Sequence, residues 1–118
     1  ARVALLGLAF KAGTEDTRES PALEVAKRLV AAGARVRGYD PAVSSVDIDG
    51  LEVVDDPYAA CEGAVALVIG TEWDEFKWLD LDKVADAMDQ RHVVDARNLL
   101  DRGALRRRGF TYQGVGRS

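Results

Sequence analysis

The chain has 118 residues, enough for one domain with a sizeable core. It is 47% hydrophobic and 31% charged, with a net charge of -4. That balance argues against a nucleic-acid or anionic-membrane surface, because both need clustered positive charge. One cysteine and one histidine exclude a disulfide framework, a CxxC metal pair and a multi-histidine metal site.

No apolar run is long enough to span a bilayer, and no basic-then-apolar signal segment opens the chain. A reducing, cytoplasmic setting is therefore expected. The chain starts at Ala1 without an initiator methionine, and a strand pattern begins almost at once. We read residues 1–118 as a single domain of a longer protein; the alternative is a processed small protein.

In chain order, "RVALLG" (Arg2 to Gly7) is a short apolar run ending in glycine, a buried strand. Ser20-Pro21 opens the next element. Serine suits the N-cap, and proline suits the first helical position, where its missing N–H costs nothing. Over Pro21–Ala32, Glu24, Lys27 and Arg28 share one helical face, and Leu23, Ala26, Leu29 and Val30 share the other. Gly33 sits where a helix C-cap glycine belongs. "ARVRGYD" (Ala34 to Asp40) is a second strand, stopped by Pro41. Val43–Gly50 reads as a loop, "LEVV" (Leu51 to Val54) as a short strand, and Asp56-Pro57 as the start of a short helix to about Glu62. "AVALVIG" (Ala64 to Gly70), the most apolar run, reads as a central parallel strand. After "TEWDEFKWLD" (Thr71 to Asp80) come a helix near Leu81–Asp89, a strand at His92–Asn98, a helix at Asp101–Arg108 and a final edge strand at Phe110–Gly116. Alternating strands and helices predict an α/β fold: a doubly wound, mostly parallel Rossmann-like sheet with helices on both faces.

Such sheets bind ligands beyond the carboxyl ends of their strands, where strand order reverses. The loops after Gly7, Ile69 and Val94 should converge there. The first departs from a dinucleotide turn. Ala9 stands where a second glycine would be, and the helix cap at Ser20 lies far downstream, so the helix dipole is badly placed for a phosphate beside Gly7. Lys11 and Arg18 could supply the charge instead, or could simply pair with Glu15, Asp16 and Glu19. Asp40 ends the second strand, where NAD-binding folds often keep an acid for the ribose. With Pro41 after it and no glycine fingerprint before it, turn initiation is the better reading. Arg97, at the end of a central strand, points to ligand binding; an ion pair with Asp95 is the alternative. Trp73, Phe76 and Trp78 fit one face of a short helix, and packing explains them better than base stacking. Cys61 reads as a small buried apolar side chain. His92 has no evident catalytic partner, and Arg106, Arg107 and Arg108 suit a helix C-terminus. No nucleophile, base or metal cluster appears.

Taken together, "GLAFKAGTEDTRESPALEVAKRLVAAGARVRGYDP", "GTEWDEFKWLD", "VVDARNLLD" and "GFTYQGVGR" resemble, in order and from about Val3 to Arg117, the C-terminal UDP-binding domain of the UDP-glucose/GDP-mannose dehydrogenase family. The resemblance implies the substrate-binding part of an enzyme that oxidises the C6 alcohol of a nucleotide sugar to a carboxylate, using two NAD per turn. It implies an N-terminal NAD domain and a helical middle domain that builds a dimer, as partners of this one in a homodimer or larger assembly. The family's catalytic cysteine and its acid/base partners belong to those parts, and Cys61 matches none of them. Phe10 and Lys11, in "AFK", match residues that contact the UDP part of the substrate. Arg97, in "DARN", matches an arginine that also contacts the substrate. Arg18, in "DTRES", matches an arginine that reaches the NAD. Ala96 stands where the family often has glycine. "TEW" is similar to the members that turn UDP-glucose into UDP-glucuronate, rather than to those acting on acetamido sugars or GDP-mannose. A free-standing nucleotide-binding module and an NAD-binding regulatory domain are the competing readings, and the missing G-x-G-x-x-G weighs against the second.

Overall fold

The structure, a computed structural model, describes residues 1–9, 20–95 and 99–114. Six strands form one parallel sheet: β1 (Arg2–Leu6), β2 (Arg35–Tyr39), β3 (Leu51–Val53), β4 (Ala66–Ile69), β5 (His92–Asp95) and β6 (Thr111–Gly114). Their order is β3-β2-β1-β4-β5-β6. The helices between them are α1 (Pro21–Ala31), α2 (Pro57–Cys61), α3 (Leu81–Ala87) and α4 (Arg102–Arg107). The expected α/β fold is observed, with every expected strand present.

Strand order reverses between β1 and β4, and this reversal splits the helices between the faces. The β1-to-β2 crossover puts α1 on one face, where Leu23 and Ala26 pack on Leu5, Val36 and Val68. The crossovers running the other way put α2, α3 and α4 on the opposite face, where Cys61, Val84 and Leu105 pack on Leu6, Leu67 and Ile69. Right-handed connections in both directions require this division. It also explains why β4 is apolar throughout: alternate residues feed two different cores.

The helix ends follow from local chemistry. Asp56, Asp80 and Asp101 cap α2, α3 and α4 by accepting backbone N–H groups of their first turns, each cap being worth about 1 kcal/mol. Helix α1 ends with Gly33 at φ +98°, donating to Val30 O, while Ala34 donates to Leu29 O. That pair of bonds satisfies two orphan carbonyls, and the left-handed backbone is why glycine stands there.

Candidate functional site

The site is built from the carboxyl ends of β1 and β4, the two strands that flank the reversal. Here the backbones come unusually close. Gly7 has φ +96°, and a Cβ on it would land on the Thr71 hydroxyl and 2.6 Å from Thr71 N. A Cβ on Gly70 would lie 2.7 Å from Gly7 O and 2.6 Å from the Ala22 methyl. Neither position has room for a side chain. The glycine that ends the first apolar run is therefore a packing requirement between two strand ends.

Beyond Gly7 the chain is held by Asp40. Its Oδ2 accepts Leu8 N at 2.8 Å, Ala9 N at 3.0 Å and the Trp73 indole Nε1 at 3.2 Å. Its Oδ1 accepts Ala42 N at 2.8 Å. The last bond is the turn expected from Asp40-Pro41. The other three are long-range, and sequence reasoning missed them. The side chain is buried and its carboxylate is taken up by four donors, so it has little left to offer a ribose.

Ser20 completes the arrangement. Its buried hydroxyl donates to Leu8 O at 2.8 Å, sits 3.3 Å from Ala9 O, and accepts Leu23 N at 3.4 Å as the cap of α1. Asp40 holds the N–H groups of Leu8 and Ala9 while Ser20 holds the Leu8 carbonyl. The two ends of the 10–19 segment are thus fastened side by side. The cap was legible in Ser20-Pro21, but the clasp was not.

A second acid does similar work at the end of β5. Asp95 is fully buried, and its Oδ2 accepts Leu100 N at 2.7 Å and the Tyr112 hydroxyl at 3.0 Å. These bonds tie the end of β5 to Leu100 and to Tyr112 of β6. The four residues singled out from the sequence, Phe10, Lys11, Arg18 and Arg97, lie outside the described residues. Both segments that carry them leave strand ends flanking β4. Those ends are two strand spacings apart, roughly 10 Å.

The aromatic trio does not share one helix face. Asp74–Trp78 is a 3-10 turn, with three residues per turn. Trp73 and Phe76, three apart, both turn inward: Phe76 is fully buried and lies edge-to-face on Tyr39 at 6.2 Å. Trp78 falls off that repeat and is 82% exposed. The Tyr39 hydroxyl donates to Glu75 at 2.8 Å. Burial, reinforced by Glu75, pushes its pKa up to about 12.

The remaining candidates lie elsewhere. Cys61 is fully buried, and burial, with a smaller contribution from Asp56, pushes its thiol up to about 12. It is an inert core residue, as its sequence setting suggested. His92 lies at the opposite, amino end of β5, within hydrogen-bond reach of Thr111 Oγ1 at 2.6 Å and Gln90 Oε1 at 3.2 Å. Arg108 does more than complement a helix dipole. It pairs with Asp82 at 2.8 Å and so ties α4 to α3. No group of three or more potential metal ligands occurs among the described residues, and no helix among them is long and apolar enough to cross a membrane.

Residues 4–102 match the model of the UDP-glucose/GDP-mannose dehydrogenase family, UDP binding domain. Over 98% of its length the chain is 44% identical to a UDP-glucose 6-dehydrogenase of Rhizobium meliloti, covering 27% of that enzyme. Among solved structures, it is similar to an NDP-N-acetyl-D-galactosaminuronic acid dehydrogenase of Methanosarcina mazei, with TM-score 0.88, 28% identity, and coverage of 100% of this chain and 25% of that one. It is also similar to a UDP-glucose dehydrogenase of Pyrobaculum islandicum, with TM-score 0.77, 34% identity, and coverage of 99% and 26%. The chain spans about a quarter of the length of these relatives.

Proposed function

The chain belongs to the UDP-glucose/GDP-mannose dehydrogenase family, as its UDP binding domain, and on that premise we propose that it holds the UDP part of a nucleotide sugar for oxidation by domains outside it. The substrate we assign is UDP-glucose, with UDP-glucuronate as product. This follows the "TEW" stretch and the 44% identity to an enzyme named for that sugar.

The observation that carries the reading is the occupied carboxylate of Asp40. In a dinucleotide fold the acid at the end of β2 faces the ribose. Here its oxygens accept Leu8, Ala9, Ala42 and Trp73, so the acid braces the loop instead of reading a cofactor. At the N-terminus of α1, Ser20 takes up two of the first-turn donors, Leu23 N through its hydroxyl and Glu24 N through its carbonyl. The described residues do not fit an NAD bound in the usual Rossmann way. The assignment of the grip to side chains of the 10–19 segment rests on Lys11 and Arg18 in its sequence.

The assigned roles are these. Phe10 packs on the UDP part, Lys11 and Arg97 meet its phosphates or ribose, and Arg18 reaches the NAD, which supplies the oxidising capacity and is held mainly by an N-terminal domain. That domain and a helical middle domain are this chain's partners, in a cytoplasmic homodimer or larger assembly. No residue of this chain is assigned a catalytic role.

Calorimetry on the chain tests the reading. UDP should bind saturably, and NAD should not. NAD binding as tight as UDP, or heats for UDP no greater than for buffer, would overturn it. A second assay follows from the missing catalytic set: the chain alone should produce no NADH from UDP-glucose above a blank.

A further inference from the structure

Opposite the proposed nucleotide crevice, at the amino ends of β1 and β2, three arginines share one face of the sheet. Arg2 and Arg35 are register partners on adjacent strands, and Arg37 lies two residues beyond Arg35 on the same face. Arg37 pairs with Glu52, its own register partner on β3, at 3.0 Å and reaches Ala59 O at 3.4 Å. Among the described residues no ion pair engages Arg2 or Arg35. All three line a cleft of about 360 Å³ with Glu52, Gly50 and Leu51. Arg2 and Arg35 also border an adjoining cleft of about 290 Å³. Asp89 lies on that second cleft, without forming an ion pair with either arginine.

Like charges placed side by side on neighbouring strands oppose each other and destabilise the pairing. Among the described residues Glu52 forms an ion pair with Arg37, Asp89 borders the second cleft without pairing, and Arg2 and Arg35 have no ion-pair partner. Guanidinium groups match phosphate oxygens bidentately, through paired N–H donors. The cleft is larger than a bare phosphate needs and falls in the size range of small-ligand sites.

We propose that the cleft between Arg2, Arg35 and Arg37 is a second anion site, for a small phosphate monoester whose double negative charge matches the two uncompensated arginines. It lies at the opposite, amino ends of the strands from the crevice and does not depend on the nucleotide reading.

Nuclear magnetic resonance titration of the chain tests this, with inorganic phosphate and glycerol 3-phosphate as probes at constant ionic strength. Saturable shifts of the Nε–H signals of Arg2, Arg35 and Arg37 are expected, with glycerol 3-phosphate the tighter of the two. Arg35→Gln should weaken binding about tenfold, the loss of one charge-assisted contact. Arg35→Lys, which keeps the charge but not the fork, should fall between. UDP affinity should be the same in all three proteins, so failure here is separable from failure of the nucleotide reading. Shifts that do not saturate, shifts that chloride reproduces, or binding that survives the Arg2→Gln/Arg35→Gln double substitution would each overturn the proposal. So would tighter binding of an acidic peptide than of glycerol 3-phosphate, which would mark the surface as a protein-docking face.

Discussion

Replacing Asp40 is the most informative perturbation, because two readings of the same residue diverge there. In Asp40→Ala, the backbone N–H groups of Leu8 and Ala9, both fully buried, lose the acceptor they have among the described residues. Leaving a buried donor unmet costs about 1–3 kcal/mol. The half-buried Trp73 indole and Ala42 N add less, since water can reach them. We expect a loss of about 3 kcal/mol, a sizeable share of the roughly 6–18 kcal/mol available to a domain of this size. Asp40→Asn can keep one oxygen on Leu8, Ala9 and Trp73 but turns an amide donor toward Ala42 N, so about 1–2 kcal/mol should be lost. Urea unfolding monitored by circular dichroism measures both. Trp73 fluorescence should report the Asn variant's altered indole contact. If both variants lose less than about 0.5 kcal/mol, the level of an ordinary surface change, the network is not the brace of this loop. If Asp40→Asn leaves stability intact but abolishes NAD affinity in the full-length enzyme, the ribose reading was right.

Gly7→Ala should destabilise by about 2–4 kcal/mol in thermal unfolding, because strain at φ +96° adds to a collision with Thr71; a neutral result would remove the close-approach argument. Cys61 and Tyr39 both have pKa values raised to about 12 from 9.0 and 10.0. The unfolded chain therefore loses these protons first, and their stabilisation, complete below pH 9, should fall away between about pH 9 and 12. Cys61→Ala with Tyr39→Phe should flatten that part of the stability profile, and an unchanged profile would count against it. Lys11→Ala or Arg97→Ala in the full-length enzyme should weaken UDP binding about tenfold or more, from the loss of a charge-assisted contact; unchanged calorimetric affinity in both would sink their assignment. Arg18→Ala should raise the KM for NAD and leave UDP binding nearly intact, and the reverse pattern would place Arg18 with Lys11.

The parts of this fold that were legible are those set by short-range rules. Ser20-Pro21 and Gly33 bound α1 because capping acts within four residues. The apolar run at Ala64–Gly70 marked the central strand, although the strand itself is only Ala66–Ile69. Asp40 was readable as a turn former because Ala42 N is two residues away. Its bonds to Leu8, Ala9 and Trp73 span 31 to 33 residues, and no local pattern announces them. The same holds for Ser20, whose cap was visible and whose hold on Leu8 O was not. The aromatic trio was misread as one helical face because its spacing suits 3.6 residues per turn, whereas the segment winds with three. Phe10, Lys11, Arg18 and Arg97 rest on the resemblance and on the switch-point rule, and the structure describes only the residues that flank them.

Those flanking residues explain why a Rossmann-like sheet can abandon its glycine fingerprint. A dinucleotide fold needs glycines because backbone N–H groups and a helix N-terminus must touch the pyrophosphate. Here Leu8 N and Ala9 N, just past β1, are committed to Asp40, and two donors of the first turn of α1 are taken up by Ser20. The 10–19 segment carries two side-chain cations that could meet an anion, Lys11 and Arg18. Side chains reach farther than backbone, but they lose more entropy on binding. The bonds at Leu8, Ala9 and Ser20 fix the residues on either side of that segment, and fixing them before a ligand arrives would lower the ordering cost of binding. Asp95, bonded to Leu100 and Tyr112, likewise fixes residues that flank the segment carrying Arg97. If the proposed nucleotide site is right, the buried acids and the serine should act on binding indirectly, through the residues they hold beside it. Disabling one should lower affinity for UDP by loosening the loop, with the direct contacts still present in sequence.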